Sequence, residues 1–160
     1  MVKISLRKIK RDDKNYFAKW WRDKELLKLT SGILKRISNQ EVDTYFQKIL
    51  HNKKDYHFTI VANGKTIGHT SLAKRQNNWY ETQIIIGEKK YWGRGYGLEA
   101  IKSLIRKVNR FGISKIYLEV RPTNSRAIRA YEQCGFQKMK IMKYPKNKYL
   151  PETMKMELKH

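Results

Sequence analysis

Tyr91-Trp92-Gly93-Arg94-Gly95-Tyr96-Gly97-Leu98-Glu99-Ala100 sets three glycines at alternate positions between an apolar run, Ile84 to Ile86, and an amphipathic stretch. The order reads as strand, glycine turn, helix start. A helix start leaves backbone N–H groups without partners and carries partial positive charge. Glycines beside it let a phosphate approach the main chain closely. The segment is therefore read first as an anion site for a phosphorylated cofactor. It is not a P-loop, because no Gly-Lys-Ser/Thr follows the glycines. Nor is it a dinucleotide fingerprint: the acidic residue expected about 20 residues on falls only on Glu119. A turn that merely lets a helix pack on a sheet fits these residues equally well, so the flanking sequence has to choose.

After the loop, Leu98, Ile101, Leu104, Ile105 and Val108 recur at three- and four-residue intervals, which predicts a helix ending near Phe111-Gly112. Ile113 to Val120 reads as a strand stopped by Arg121-Pro122. Thr123 or Asn124 caps the next helix, whose inner face holds Ala127, Ala130, Tyr131 and Cys134, with Gly135 as its stop. Phe136 to Met142 and Met154 to Leu158 are the last strands. Upstream, Tyr56 to Ala62 and Thr66 to Ala73 flank Asn63-Gly64, a strong hairpin signal, and a turn at Gln76 to Asn78 leads to the strand Trp79 to Gly87.

At the amino end, Val2 to Ile9 alternates as a half-buried strand does. Asp12 or Asp13 caps a helix bearing Tyr16, Phe17 and Trp20. Asp23 starts a short helical piece, and Ser38 to Glu41 forms a capping box before Val42, Tyr45, Phe46, Ile49 and Leu50. The element order is β-α-α-β-β-β-α-β-α-β-β. The fold class is α/β (α+β), a single domain over residues 1–160 with a mixed twisted sheet of about seven strands. The crossover from Trp79 to Val120 makes the strands at its two ends parallel, either paired directly or splayed apart.

The chain has 160 residues, 40% of them apolar, enough for one core. No run reaches the ~20 apolar residues of a membrane span, and the basic amino terminus lacks a signal-peptide pattern. One cysteine, Cys134, excludes an internal disulfide, and the four histidines show no metal-ligand spacing. These features point to a cytoplasmic protein without a metal. The charge is +22, from 36 Lys and Arg against 14 Asp and Glu. Such a field attracts polyanions, but the basic residues are spread along the chain. A solvated lysine-rich surface accounts for that distribution better than a dedicated nucleic-acid site.

Two blocks, IIIGEKKYWGRGYGLEAI and KIYLEVRPTNSRAIRAYEQCGF, together with the element order, resemble the GNAT family of acyl-CoA-dependent N-acetyltransferases. The likeness covers nearly the whole length and is strongest to the ribosomal-protein-acetylating-like and amine- or aminosugar-acetylating branches. The family's pyrophosphate loop runs Gln/Arg-x-x-Gly-x-Gly/Ala before a helix; here Trp92 stands at the usually polar position. The second block carries Asn124, Ala127, Tyr131, Gly135 and Phe136 at the family's spacing. This pair of blocks chooses the ligand reading of the glycines.

The resemblance implies acetyl-CoA as cosubstrate and direct attack by a primary amine in a ternary complex. Ile85, Ile86 and Gly87 would pair with the pantetheine arm, and Trp92, Gly93, Arg94, Gly95, Tyr96 and Gly97 would hold the pyrophosphate. Asn124 would hydrogen-bond the arm from the other side, with Lys89, Lys90, Arg94, Arg126 and Arg129 as further phosphate partners. Tyr131 would reach the sulfur and protonate the departing thiolate, while a backbone N–H near Ile86 steadies the oxyanion. An aliphatic amine with pKa ~10.4 is almost wholly protonated at pH 7, so a base is useful. Glu81, just upstream of the pantetheine segment, is the candidate, with His69 on the neighbouring strand as a weaker one.

The acceptor should enter between the first helices and the strand ends, past Trp20, Trp21, Leu29, Trp79 and Tyr80. It would be an aminosugar, a small amine or a protein N-terminus. The net charge favours neutral or anionic acceptors over polycations. The enzyme would be a monomer or homodimer. The rival reading is a catalytically inactive module of the same fold that binds nucleic acid or a ribosomal particle through its charge.

Overall fold

A computed structural model describes residues 2–159. Among them the chain order is β1 (Ile4–Lys8), α1 (Lys14–Trp21), α2 (Lys24–Leu29), α3 (Asn39–Leu50), β2 (Tyr56–Ala62), β3 (Lys65–Lys74), β4 (Tyr80–Ile86), α4 (Tyr96–Arg110), β5 (Lys115–Val120), α5 (Ser125–Gln133), β6 (Gln137–Lys143) and β7 (Glu152–Lys159). Three helices, rather than two, separate the first two strands. Asp23 accepts a hydrogen bond from the Leu26 N–H, which caps the short piece α2 as a helix of its own. The predicted capping box stands at α3, where Ser38 and Glu41 satisfy each other's backbone N–H groups.

The strands form one seven-stranded sheet in the order β1-β2-β3-β4-β5-β7-β6. Its first four strands are antiparallel neighbours, turned at Asn63-Gly64 between β2 and β3. On the other side, β5 pairs with β7 and β7 with β6, again antiparallel. The two halves meet at the parallel pair β4–β5, whose register holds only Tyr80↔Ile116 and Glu81↔Tyr117. The crossover strands are thus both paired and splayed: joined at their starts and open beyond.

Alternation along the strands sorts the core into two layers. Ile116, Leu118 and Met156 face α4 and α5 and pack with Ile101, Leu104, Val108, Ile128 and Tyr131. On the opposite face, Phe17 and Trp20 of α1 and Phe46 of α3 form an aromatic cluster against Ile85. Asp13 is buried beneath this half, held by Arg7 at 2.8 Å and by the Thr59 hydroxyl at 2.9 Å. Those partners outweigh its burial and hold its carboxyl below the ordinary value.

Candidate active site

The gap between β4 and β5 is the mouth of a cleft of about 360 Å³. One wall is β4 from Thr82 to Ile86; the others are the end of β5, the glycine loop, α2 and α5. The Gly87 N–H donates to the Ile67 carbonyl of β3 at 2.8 Å. Because amides alternate sides along a strand, Thr82, Ile84 and Ile86 turn theirs toward the gap. Ile84 and Ile86 lie beyond the paired register of β4 and β5, whereas the Thr82 amide still falls within the last parallel pair, Glu81↔Tyr117. The Thr82 hydroxyl is also buried, lines the cleft and has no hydrogen-bond partner among the described residues.

The glycine loop closes one end. Gly93 (φ 71°) and Gly95 (φ 86°) occupy the left-handed region that side-chain-bearing residues avoid. They turn the chain so that α4 begins at Tyr96 with Gly95 as its N-cap, which has no side chain to cap the first N–H groups. Gly93, Gly95 and Gly97 line the cleft beside Arg126, among the described residues the one cation in that lining. An uncapped fifteen-residue helix beside an arginine is an anion cradle. The donor set fits coenzyme A: a phosphate seat at one end, and along the channel unpaired strand amides, an orphaned hydroxyl and a side-chain amide to bond an extended amide chain.

The predicted residues divide clearly. Ile85, Ile86, Trp92, Gly93, Gly95, Gly97, Asn124, Arg126 and Tyr131 all line the cleft. Trp92, where the family pattern is usually polar, makes its polar contact within the chain. Its indole N–H donates to the Ile86 carbonyl at 2.6 Å, fastening the loop to the end of β4. The Asn124 carbonyl caps α5 by accepting from the Ala127 N–H at 3.2 Å, which leaves its amide NH₂ to face a ligand.

Several predicted residues do other work. Gly87 is needed for packing, since a Cβ there would fall 2.3 Å from the Trp20 ring. Tyr96 packs edge-on against Tyr91, and the Arg94 and Arg129 side chains are exposed. Lys89 is tied to Glu25 and Asp23, and Lys90 lies over Tyr91. Of the five basic residues proposed for phosphate, only Arg126 lines the cleft.

Of the aromatic and apolar residues expected at the acceptor entrance, only Leu29 is there. Trp20 and Trp21 join the Phe17 cluster, Tyr80 packs with Tyr56, and Trp79 stands by Tyr117. Helical spacing in Trp20 and Trp21 signals burial rather than a binding wall.

Tyr131 is buried, stacked edge-on against Phe136, with its hydroxyl unpartnered among the described residues. Burial, and secondarily Cys134, pushes it up to about 12, so it is a neutral donor at physiological pH. Glu81 does not line the cleft. Its carboxylate is clamped by Arg75 at 2.7 Å and faces Tyr117. His69 is buried against Phe17 and His57, pushed down to about 3 by burial and then by His57.

Sequence patterns alone do not single out Glu119. It lies on the sheet face opposite α5, yet the gap brings it into the same cleft as Tyr131. Among the described residues it is the one carboxylate in that lining. Its Oε1 accepts from the Tyr144 and Thr153 hydroxyls, each at 2.5 Å. Burial and that carboxylate push Tyr144 up to about 12, keeping it a donor. Above it, the Arg121 guanidinium bonds both the Lys28 and Tyr149 carbonyls, tying α2 to the β6–β7 loop at the cleft's edge.

A glycine-loop anion cradle at the end of a splayed parallel strand pair defines an acyl-CoA-binding transferase. The family model described as "Acetyltransferase (GNAT) domain" matches residues 3–137, and the chain belongs to that family. It is an acyl-CoA-dependent N-acetyltransferase. Aminoglycoside N(6')-acetyltransferase type 1 from Klebsiella pneumoniae is 20% identical over 146 residues, which cover 83% of this chain and 69% of that enzyme. Spermidine N-acetyltransferase from Vibrio cholerae, solved with CoA and spermine, superposes with a TM-score of 0.84 at 22% identity, covering 98% of this chain and 95% of that one. A domain from Methanocaldococcus jannaschii covers both chains fully at a TM-score of 0.81 and 20% identity. Among the described residues no helix is long and apolar enough to cross a membrane, and no three of His, Cys, Asp and Glu gather as a metal site.

Proposed function

We propose that the whole chain, 1–160, acts as one cytoplasmic acetyltransferase domain on a primary amine bearing a single positive charge, the rest of the acceptor being neutral or anionic. The observation that carries this is the charge of the cleft: among the described residues, one carboxylate, Glu119, and one cation, Arg126. Arg126 and the α4 N-terminus suit the phosphates. Glu119 then serves the amine, held in place by Tyr144 and Thr153. One carboxylate neutralises one ammonium. Further ammonium groups on a polycation would meet a chain of net charge +22, at distances where screening over about 8 Å is incomplete.

Glu119 replaces Glu81 as the proton acceptor, because Glu81 is engaged by Arg75 outside the cleft. The free amine attacks the thioester carbonyl, and the cleft-facing amide near Ile86 bonds the developing oxyanion. Tyr131 sits on the opposite side and donates to the departing sulfur. From a phenol at about 12 to a thiolate near 8.5, full proton transfer is uphill by about 5 kcal/mol. Tyr131 therefore acts chiefly as a hydrogen-bond donor.

The test is thiol release from acetyl-CoA with acceptors of graded charge, on the native chain and on Glu119→Gln. An anionic aminosugar should have a higher kcat/KM than spermidine. Glu119→Gln should lower kcat/KM by about 10²-fold or more, with acetyl-CoA affinity within twofold. A preference for spermidine refutes the acceptor assignment; an unchanged rate in Glu119→Gln refutes the base.

A further inference from the structure

We infer that the closed end of the β4–β5 junction carries a second binding site, for a single strand of nucleic acid, centred on Trp79. Three ammonium groups converge on its indole: Lys115 at 5.4 Å, Lys159 at 5.4 Å and Lys155 at 5.9 Å from the ring centre. Lys155 also lies 4.5 Å over the ring of Tyr117, which itself packs edge-on to Trp79. The register makes this arrangement costly to the sheet. Lys115 stands directly opposite Lys159 between β5 and β7, and Lys140 directly opposite Lys155 between β6 and β7. Like charges directly opposite one another destabilise antiparallel pairs. Among the described residues, only Lys155 of the three around the indole has a carboxylate partner, Glu157 at 3.5 Å.

A polyanion relieves that repulsion, and an aromatic platform selects which polyanion. Nucleic-acid single strands bind where a basic groove follows the backbone and a ring stacks an unpaired base. A half-buried indole ringed by three lysines supplies both features. A duplex, with its bases already stacked, has no base to offer the indole. Trp79 and its lysines lie outside the lining of the acetyl-transfer cleft, which they adjoin where Lys155 stands opposite Glu119. Trp79 precedes the first residue of β4, whereas the glycine loop follows the last, which puts roughly 20 Å of extended strand between them. The inference does not depend on the acceptor or base assigned above.

Fluorescence anisotropy with a labelled ten-nucleotide oligouridylate, titrated between 50 and 200 mM salt, tests it. The log–log salt slope should be about −2, at ~0.7 per phosphate for three lysines. Trp79→Ala should weaken binding about tenfold and Trp79→Phe much less, because phenylalanine keeps a stacking face. The pair Lys115→Ala with Lys159→Ala should flatten the slope by about 1.4, while Lys48→Ala with Lys65→Ala, which removes equal charge elsewhere, should leave it unchanged. Unaltered acetyl transfer in each variant reports an intact fold. Three results overturn the site: equal losses from both lysine pairs, unchanged affinity in Trp79→Ala, or a duplex of the same length bound as tightly as the single strand.

Discussion

Replacing Thr82 with valine removes one buried oxygen and keeps the shape of the side chain. In the free protein that hydroxyl has no partner among the described residues, and the residue is only 3% exposed. An unsatisfied buried hydroxyl costs about 1–3 kcal/mol in proteins. Thr82→Val should therefore stabilise the ligand-free chain by about 1 kcal/mol, a rise in Tm of about 2–4 °C for a domain of this size. With acetyl-CoA bound the sign reverses. If the hydroxyl serves an amide of the pantetheine arm, its loss removes one hydrogen bond worth about 1 kcal/mol, and acetyl-CoA binds roughly fivefold more weakly.

Thr70 supplies the control. Its hydroxyl is equally buried and equally unpartnered, but it does not line the cleft. Thr70→Val should stabilise the chain by a similar amount and leave acetyl-CoA affinity untouched. Thermal denaturation without ligand and isothermal titration with coenzyme A measure both quantities. Destabilisation by Thr82→Val, or a fall in affinity shared equally with Thr70→Val, would falsify the assignment of Thr82 to the arm.

Tyr131→Phe should lower kcat about 10²-fold at unchanged coenzyme A affinity, read by thiol release and titration; an undiminished kcat removes Tyr131 from the chemistry. Trp92→Phe leaves the Ile86 carbonyl without its 2.6 Å donor, so stability should fall by about 1–2 kcal/mol in urea unfolding. No loss would mean that the indole contact does not hold the loop. His69 stays neutral in the fold down to about pH 3, whereas in the unfolded chain it takes a proton below about pH 6.5. Stability associated with it is therefore complete above pH 6.5 and declines as pH falls from there toward 3, by about 2 kcal/mol at pH 5. Urea unfolding at pH 7 and pH 5 should show that decline flattened in His69→Gln; identical slopes would refute the assignment.

The features of this molecule that are legible in sequence are those written in local patterns. The Gly93–Gly97 loop, the Asn124 cap and the Asn63-Gly64 hairpin each require a residue type at a fixed offset, and each lies where the pattern puts it. Tyr131 is legible for the same reason, seven residues past its cap. Glu119 is not, because nothing near it in sequence marks it. It enters the cleft only because β4 and β5 diverge after their two paired positions, and its hydroxyl partners come from Tyr144 and Thr153 on later elements. Glu81 misleads by the converse route. Its place in β4 follows from the pattern, but it lies where β4 is still paired with β5, and Arg75 holds its carboxylate outside the cleft.

The gap itself follows from how the sheet is held. β4 is paired with β3 along its length and β5 with β7 along its length, while only two residue pairs join the halves. Neither half needs the other to satisfy its ladder, so the seam can open where a continuous sheet could not. What remains is a pair of strand amides, at Ile84 and Ile86, facing a channel rather than a neighbour. Each unsatisfied buried amide carries a cost of about 1–3 kcal/mol. On the proposed reading, a ligand with its own amides would relieve that cost by completing the ladder, and part of its affinity would come from a deficit built into the sheet. The Trp92 indole takes part in the same arrangement. Its N–H satisfies the last carbonyl of β4, at Ile86, and leaves the amides upstream of it to the ligand.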